Sequence, residues 1–408
     1  MNDNRYIISN GIIADGVRNS DENCGVFIRN GAILVSGDRI ERIGSAEEIA
    51  DENAKFIDVG GRLILPGFLI PHHHLYSSCA IGLSPIGEIT DFVSNLKYLW
   101  WKLDSVLDKE SIYISALVGI IDAIKHGTTM IFDHHASMNF VANSLKTIAE
   151  AFELVGIDGI LCFETSDRNG ENAVDKHIRE NIDFYNRCKD SNRLKSMFGL
   201  HANFTLGENT LNKIARQKPE DMPIHIHCGE DKADLLYCQE LGYYGPVDRL
   251  NEYGLLTDNS ILAHCIHLSE RDYEILDRIN PIVVANFESN AKNRVGKMEH
   301  SKISRYVLGT DGMTTDMIAT LRNSFLISSP QQIGLEKLTR MFFDYRYEIQ
   351  SKFFPDTGRL EPGMKADLAV LNYVPITPIS PQNLIAHLIF GVKNAQAYIT
   401  ISNGNILY

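Results

Sequence analysis

The feature that most restricts the fold of this chain is the alternation of apolar runs with helical patterns through its middle. Between residues 62 and 359, eight runs are separated by stretches of helical periodicity. Strands that are buried on both faces read as continuous apolar runs. Eight such alternations predict an α/β fold, a TIM-like (β/α)8 barrel. The runs are RLILPGFLIPHHH, TTMIFDHH, DGILCFETSD, KSMFGLHANFT, MPIHIHCGE, SILAHCIHL, PIVVANFESN and RYVLGTDGM.

The two ends of the chain share a different pattern. Residues 1–61 and 360–408 contain short β-like runs that are separated by glycine turns, such as Asn403-Gly404. Asn-Gly between β-branched runs indicates a hairpin. Because each end alone is short for a stable sheet, we expect the two ends to form one small β-sandwich domain.

Composition excludes several classes of protein. The chain has 39 basic and 52 acidic residues and a net charge of −13, which disfavours binding to nucleic acid and to anionic membranes. No apolar run is long enough to cross a bilayer, and the start, MNDNRYIISN, lacks an apolar signal core. The seven cysteines are odd in number and form no CxxC pair, which favours a reducing compartment. A cytoplasmic protein is expected.

Residues that can do chemistry stand at the C-terminal ends of the apolar runs, where barrel active sites form. His72 and His74 are two residues apart on a strand, so both side chains point to the same face. His225 and His227 obey the same alternation, and either could be a ligand. Asp311 ends the eighth run, and a buried carboxylate there needs a cation or several donors. The alternative for each is a structural role, such as packing or a helix cap.

Three neutral imidazoles and one carboxylate suit zinc or another borderline divalent ion. A bound cation lowers the pKa of a coordinated water to about 7, so that hydroxide attacks an electrophilic carbon at neutral pH. Asp311 can take the proton of the water, Glu230 can move a proton to the leaving nitrogen, and His264 can orient the hydroxide. The alternatives are a loop carboxylate for Glu230 and a structural role for His264.

These residues stand in motifs that resemble the amidohydrolase superfamily, over nearly the whole chain. The chain is similar to its mononuclear aminohydrolases, such as cytosine and guanine deaminases and triazine hydrolases, and most similar to the SsnA-type aminohydrolases, which are associated with purine breakdown. The superfamily motifs are Pro66-Gly67-Phe68 before His72-x-His74, His227-x-x-Glu230, Ala263-His264-Cys265, Gly309-Thr310-Asp311 and the closing LEPGMKADL at residues 360–368. The SsnA-type motifs are LWWKLD at residues 99–104, IFDHHAS at 131–137, Glu164-x-x-Asp167-Arg168 and GTDGMT at 309–314.

The resemblance implies one divalent metal per subunit, with zinc favoured and iron as the alternative. Dinuclear members carry a carboxylated lysine at the end of strand four, where this chain has His201, so a single metal is implied. It also implies a small heterocyclic substrate and allows a homodimer. The implied site residues are, for the metal, His72, His74, His227 and Asp311; for catalysis, Glu230, His264 and Asp311; and for substrate contact, His201, Arg168 and Trp101.

The function expected from residues and resemblance together is hydrolysis of carbon–nitrogen bonds other than peptide bonds. The expected reaction is deamination of a purine-like or pterin-like nitrogen heterocycle. Two alternatives remain, namely a hydrolase that removes an amide or chloride group from a similar ring, and a metal-bound scaffold without catalysis. Ammonia release and bound metal distinguish the three.

Three segments are expected to shape the site. The stretch from Tyr76 to Ser105 is too long for a plain strand–helix connection, which predicts a lid over the barrel mouth. Its Trp100-Trp101 pair either lines the pocket or anchors the lid helix. Pro71 replaces the small residue that is usual before the first ligand, so the end of the first strand is expected to be reshaped. The loop after the seventh strand, between residues 286 and 309, is shorter than in relatives.

Overall fold

The computed structural model describes residues 4–16, 26–328, 333–393 and 396–408. Of the seven cysteines, Cys24 lies outside these ranges, and the other six are free thiols. The strands are β1 (Arg5–Ala14), β2 (Phe27–Ser36), β3 (Arg39–Ser45), β4 (Lys55–Asp58), β5 (Leu63–Pro66), β6 (Phe68–His73), β7 (Thr128–His135), β8 (Asp158–Phe163), β9 (Leu194–Ser196), β10 (Phe198–Leu200), β11 (Ile224–Cys228), β12 (Ile261–His264), β13 (Ile282–Ala285), β14 (Val307–Leu308), β15 (Leu368–Leu371), β16 (Ala397–Ser402) and β17 (Asn405–Ile406).

Helices separate most of the middle strands. None of the helices in the described part of the chain has both the length and the apolar character that crossing a bilayer requires. The α-helices are α1 (Phe92–Asn95), α2 (Trp101–Asp104), α3 (Lys109–Lys125), α4 (Ser144–Val155), α5 (Glu171–Cys188), α6 (Glu208–Gln217), α7 (Lys232–Glu240), α8 (Pro246–Glu252), α9 (Glu270–Ile279), α10 (Phe287–Asn293), α11 (Met317–Ile327), α12 (Leu335–Thr339), α13 (Arg346–Phe353) and α14 (Leu384–Ala386). Short 3₁₀ segments are Leu75–Ala80, Asn203–Thr205 and Pro381–Asn383, and π segments are Leu96–Trp100, Arg340–Tyr345 and His387–Gly391.

Strands from both ends of the chain pair in one sheet. Its order is β17-β16-β15-β5-β1-β2-β3, with β4 paired to β1. Strand β5 joins the two ends, because it pairs parallel with β1 and antiparallel with β15. Aliphatic side chains, including Ile33 and Ile401, form its core. Leu63–Pro66, which the sequence boundary at residue 62 assigns to the barrel, thus lies in the small sheet.

The first apolar run is divided at Gly67 between two sheets. Strand β5 ends before this glycine, and β6 begins after it and pairs with β7. A Cβ atom on Gly67 would lie 2.3 Å from Oγ1 of Thr129, so the approach of the two strands requires glycine. The sequence does not show this break, because both strands are buried and equally apolar.

The middle of the chain forms the barrel. Two parallel sheets, β6-β7-β8-β9 and β10-β11-β12-β13-β14, are joined at both seams by isolated parallel bridges, Thr165 to Leu200 and His73 to Asp311. The fourth predicted run forms two short strands, β9 and β10. Counted as one, they bring the ring to eight strands, with α3 packed against β7 and α4 against β8. The predicted α/β barrel is confirmed, and the carboxyl ends of its strands meet at one mouth.

Pro71 changes the end of β6. The register between β6 and β7 is irregular between Ile70 and His73. A proline has no N–H to donate, so regular pairing cannot continue through it. The carbonyl of His72 instead accepts from the backbone N–H of Asp311 at 3.1 Å, which ties the end of the first strand to the end of the eighth. Two of the predicted metal ligands are therefore linked through the backbone.

Candidate active site

Four side chains converge at the mouth of the barrel. His72 lies in β6, His74 follows it, His227 lies in β11 and Asp311 follows β14. One ligand atom from each lies within 4.8 Å of the others, and Nε2 of His74 is 3.1 Å from Oδ1 of Asp311. The structure thus brings together the four residues that the sequence nominates as metal ligands.

The hydrogen bonds of two of these imidazoles determine which nitrogen faces the centre. Nδ1 of His74 lies 2.6 Å from the carbonyl oxygen of His134, and Nδ1 of His227 lies 2.9 Å from that of His201. Because a carbonyl only accepts, both Nδ1 atoms carry a proton, and in the neutral rings both Nε2 atoms carry lone pairs. These two Nε2 atoms lie only 3.1 Å apart, so the site requires a positive species between them.

A divalent cation satisfies this cluster better than a proton does. Nε2 of His72 is buried, has no hydrogen-bond partner among the described residues and lies 3.7 Å from Oδ1 of Asp311. Burial lowers the pKa of His74, but the contact with Asp311 outweighs it and raises that pKa to about 9. One proton on His74 would satisfy a single contact, whereas one metal ion satisfies three lone pairs and the carboxylate together. The donor set therefore fits a divalent metal.

The two histidines of β11 have different neighbours. Nε2 of His225 lies 2.8 Å from Nδ1 of His72, on the side of that ring away from its unpartnered nitrogen. His225 thus supports His72 from behind, as the hydrogen-bonded partners of metal-binding histidines do. The alternation left both residues open, and only His227 belongs to the four-residue cluster.

Glu230 and His264 stand beside the cluster. Nε2 of His264 is 3.5 Å from Oε2 of Glu230 and 4.0 Å from Oδ2 of Asp311. Burial, reinforced by the charge of Asp311, raises the pKa of Glu230 well above its ordinary value. A carboxyl group with a raised pKa next to a metal-ligand cluster is suited to proton transfer.

Two asparagines after β13 hold His264, and the sequence does not assign them this task. Oδ1 of Asn290 lies 2.7 Å from Nδ1 of His264, and Nδ2 of Asn286 lies 3.3 Å from its Nε2. A third, Asn293, donates to Oε1 of Glu230 at 3.4 Å. The sequence does show several asparagines at the end of the seventh run and in α10. It does not show what they bind, because their partners follow other strands.

The backbone is strained at three non-glycine residues at or just after the ends of β12 and β14. His264, Cys265 and Asp311 have φ values of +76°, +51° and +53°. Such conformations cost about 1–3 kcal/mol each and persist where the surroundings enforce them. Two of these residues are predicted site residues, so the strain coincides with the functional cluster.

A cleft with about 640 Å³ of empty space, part of it open to solvent, lies over the cluster. Both lid tryptophans line it, and the ring of Trp101 meets His201 edge-on at 6.1 Å. Nδ1 of His201 is 2.8 Å from Oγ1 of Thr205, whose hydroxyl donates to a backbone carbonyl, so Nε2 is left as an acceptor. The lining residues are His74, Tyr76, Phe92, Leu96, Trp100, Trp101, Asp104, Glu164, His201, His227, Glu230, Ser289, Lys292, Asn293, Asp311, Gly312 and Met313.

Arg168 is not among the described residues that line this cleft. Its guanidinium donates to Asp104 at 3.0 Å and to Glu164 at 2.5 Å. The ring of Trp101 covers it, with 4.9 Å between the guanidinium carbon and the ring centre. The structure therefore places Arg168 behind the pocket wall, and the sequence did not assign a role to its partner Asp104.

A second group of ligand atoms lies next to the first. Oε2 of Glu164 is 3.9 Å from Nδ1 of His134, which has no hydrogen-bond partner among the described residues. The third member of this group is His227, which the first cluster already uses. Nε2 of one imidazole binds one metal ion, so His227 cannot be a ligand in both groups at the same time.

Comparison with known proteins agrees with this geometry. The family model described as the amidohydrolase family matches residues 63–407. The chain belongs to the amidohydrolase family. The predicted resemblance to that superfamily is thereby confirmed, and with it a metal-dependent hydrolase with a divalent metal site.

Relatives of this amidohydrolase are named as deaminases. It is 30% identical over 391 residues to a 5-methylthioadenosine/S-adenosylhomocysteine deaminase of Carboxydothermus hydrogenoformans, covering 92% of this chain and 88% of that protein. It is 28% identical over 398 residues to a 5′-deoxyadenosine deaminase of Methanobrevibacter smithii, with the same coverage. A zinc-bound adenosine deaminase structure from Xanthomonas campestris shares the fold, with a TM-score of 0.82 at 18% identity, covering 98% of this chain and 92% of that one.

Proposed function

We propose that this amidohydrolase removes the exocyclic amino group of a nitrogen heterocycle by hydrolysis, with the adenine ring of a nucleoside as its substrate. The observation that carries the proposal is the convergence of three imidazole rings and Asp311 beside the carboxyl group of Glu230, whose pKa is raised by burial. The names of the relatives at 28–30% identity support the adenine ring. The reaction consumes one water and releases one ammonia.

The residues of the chain divide the work of the reaction. His72, His74, His227 and Asp311 would hold a divalent metal, which would supply Lewis-acid polarisation and lower the pKa of water. Glu230 donates a proton to the ring nitrogen beside the reacting carbon, takes up the proton of the newly added hydroxyl group and passes it to the departing amine, and then regains its own proton from Asp311. His264 orients the attacking water, and Asp311 accepts its proton. His201 offers Nε2 to the ring.

Zinc is the metal that we propose, with iron as the alternative. Three imidazole nitrogens and one carboxylate oxygen form the borderline donor set that zinc prefers. The bound zinc of a protein with the same fold supports this assignment. We also propose a cytoplasmic location, because the six described cysteines are free thiols.

The decisive experiment measures metal content and ammonia release together. The metal-loaded protein is incubated with adenosine, 5′-deoxyadenosine, guanine, cytosine and a pterin, and ammonia is measured with a coupled enzyme assay. We expect ammonia from an adenine nucleoside and none after chelation. Release of amide or chloride from related rings without ammonia would favour the other hydrolase, and stoichiometric metal without any turnover would favour a silent scaffold.

A further inference from the structure

One wall of the cleft bears on which substrates can enter. It consists of Asp104 on α2 and Glu164 after β8, with Arg168 behind both. We infer that this wall selects substrates by charge, accepting neutral or cationic groups and rejecting a carboxylate or phosphate. The inference rests on the proposed function, because it concerns the substrate of the same pocket.

Arg168 cannot serve as a receptor for an anion while it holds this wall together. Nη1 contacts Asp104 and Nη2 contacts Glu164, while Nε donates to Oγ of Ser166 at 3.0 Å. The indole of Trp101 covers the guanidinium. Two carboxyl groups share one guanidinium, so the positive charge of Arg168 is already balanced within the wall. Arg168 is therefore a positioning residue for the two carboxylates.

The atoms that this wall offers to a ligand are mainly acceptors. Oδ1 of Asp104 is buried and has no hydrogen-bond partner among the described residues, although the residue lines the cleft. His201 presents Nε2 as a lone pair, because its Nδ1 proton is donated to Thr205. Nε1 of Trp101, a donor, is likewise buried without a hydrogen-bond partner among the described residues. Acceptors without partners favour a ligand that brings N–H or O–H groups and disfavour one that brings further acceptors.

Electrostatics at the wall act in the same direction. Asp104 and Glu164 share the one guanidinium of Arg168, and both carboxyl groups are buried. An entering anion would meet two carboxyl groups for one positive charge. Lys292 also lines the cleft, from α10, but it is exposed, and an exposed ammonium attracts an anion only weakly in water. Of the substrates in the relatives' names, 5′-deoxyadenosine fits this wall, whereas the carboxylate of S-adenosylhomocysteine does not.

Binding can be measured without turnover. The chain has two tryptophans, Trp100 and Trp101, and both line the cleft, so intrinsic fluorescence reports its occupancy. The probes are purine riboside, which has no amino group to lose, and its 5′-amino-5′-deoxy and 5′-carboxylate derivatives. For the metal-loaded wild type we expect the carboxylate to bind at least about tenfold more weakly than the neutral probe, and the amine to bind at least as tightly.

The double variant Asp104→Asn with Glu164→Gln tests whether these two carboxyl groups cause the charge selectivity, because it leaves Arg168 with an unbalanced charge. We expect its preference to invert, with the carboxylate probe gaining at least about tenfold. Glu171→Gln with Asp175→Asn is the matched control, because it removes the same charge from the exposed start of α5, where both residues pair with Lys213. Its selectivity should equal that of the wild type.

Equal binding of the three probes to the wild type, or tighter binding of the carboxylate, would overturn the inference even if the double variant failed to fold. None of these results bears on ammonia release from the heterocycle panel, so a failure of the charge selection is distinguishable from a failure of the proposed function.

Discussion

Nε2 of His74 lies 3.1 Å from Nε2 of His227, although each ring has already donated its Nδ1 proton to a backbone carbonyl. Two lone pairs at that distance repel each other unless a cation lies between them. The carbonyls of His134 and His201 thus enforce a metal-binding orientation on side chains from opposite parts of the barrel. The first two predictions follow from this contact and from the carboxyl group next to it.

Replacing His227 with alanine should abolish stoichiometric metal binding. The change removes one of four ligands and leaves His74 facing an empty space, so the bound metal should fall from about one ion per chain to a small fraction of that. Elemental analysis after gel filtration measures it. His126→Ala is the control and should keep its metal, because Nδ1 of this histidine lies 2.8 Å from the backbone carbonyl oxygen of Asp122 in α3. Retention of metal by His227→Ala would exclude His227 as a ligand.

Glu230→Gln should keep the metal and lose turnover. The amide preserves the shape of the side chain but cannot transfer a proton, a step that contributes 10²–10⁴-fold in rate, or about 2.7–5.4 kcal/mol of barrier. Because the proton moves only in the transition state, kcat should fall far more than KM rises. Loss of metal in this variant would instead make Glu230 a ligand, and full activity would make it an ordinary loop carboxylate.

Asn290→Ala should lower kcat by releasing His264. The substitution removes the acceptor at 2.7 Å from Nδ1 of that buried ring, and an unpaired buried donor costs about 1–3 kcal/mol. Metal content should not change, because neither residue is a ligand. Asn290→Asp retains an acceptor and should recover part of the rate. If steady-state kinetics show no difference between the alanine variant and the wild type, Asn290 does not position His264.

Gly67→Ala should destabilise the junction between the small sheet and the barrel. The new Cβ would overlap Thr129, and overpacking of this kind costs about 1–3 kcal/mol. Chemical denaturation measures the change in the free energy of unfolding. Thr129→Ala removes two of the three atoms nearest to the new Cβ. The double variant should therefore be more stable than the summed losses of unfolding free energy of the two single variants predict. Strict additivity would show that the contact is not the cause.

Asp367 should make stability depend on pH between about 4 and 7. Burial, reinforced by the charge of Asp158, raises the pKa of Asp367 to about 7 in the folded protein. The folded state therefore binds more protons than the unfolded state in this window, and the contribution of Asp367 is lost as the pH rises through it. Asp367→Asn should gain stability relative to the wild type from pH 4 to pH 7. A pH-independent difference in unfolding free energy would contradict the assignment.

Much of the barrel could be predicted from sequence because its signals are local. Continuous apolar runs, helical periodicity and polar residues at the run ends are all read within a few positions along the chain. The two-residue spacing of His72 and His74 places both on one face whatever the rest of the fold does. The narrower SsnA-type likeness and the assignment of individual site roles remain predictions.

The tertiary structure decided everything that depends on a partner from another strand. It separated His227 from His225, which have equal status in the alternation, because only the closed ring shows which imidazole faces His74 and which lies behind His72. It also placed Arg168 between two carboxylates, where the sequence predicted a contact with substrate. Local periodicity determines the face on which a side chain lies, but the neighbours it meets there depend on how distant strands close the barrel.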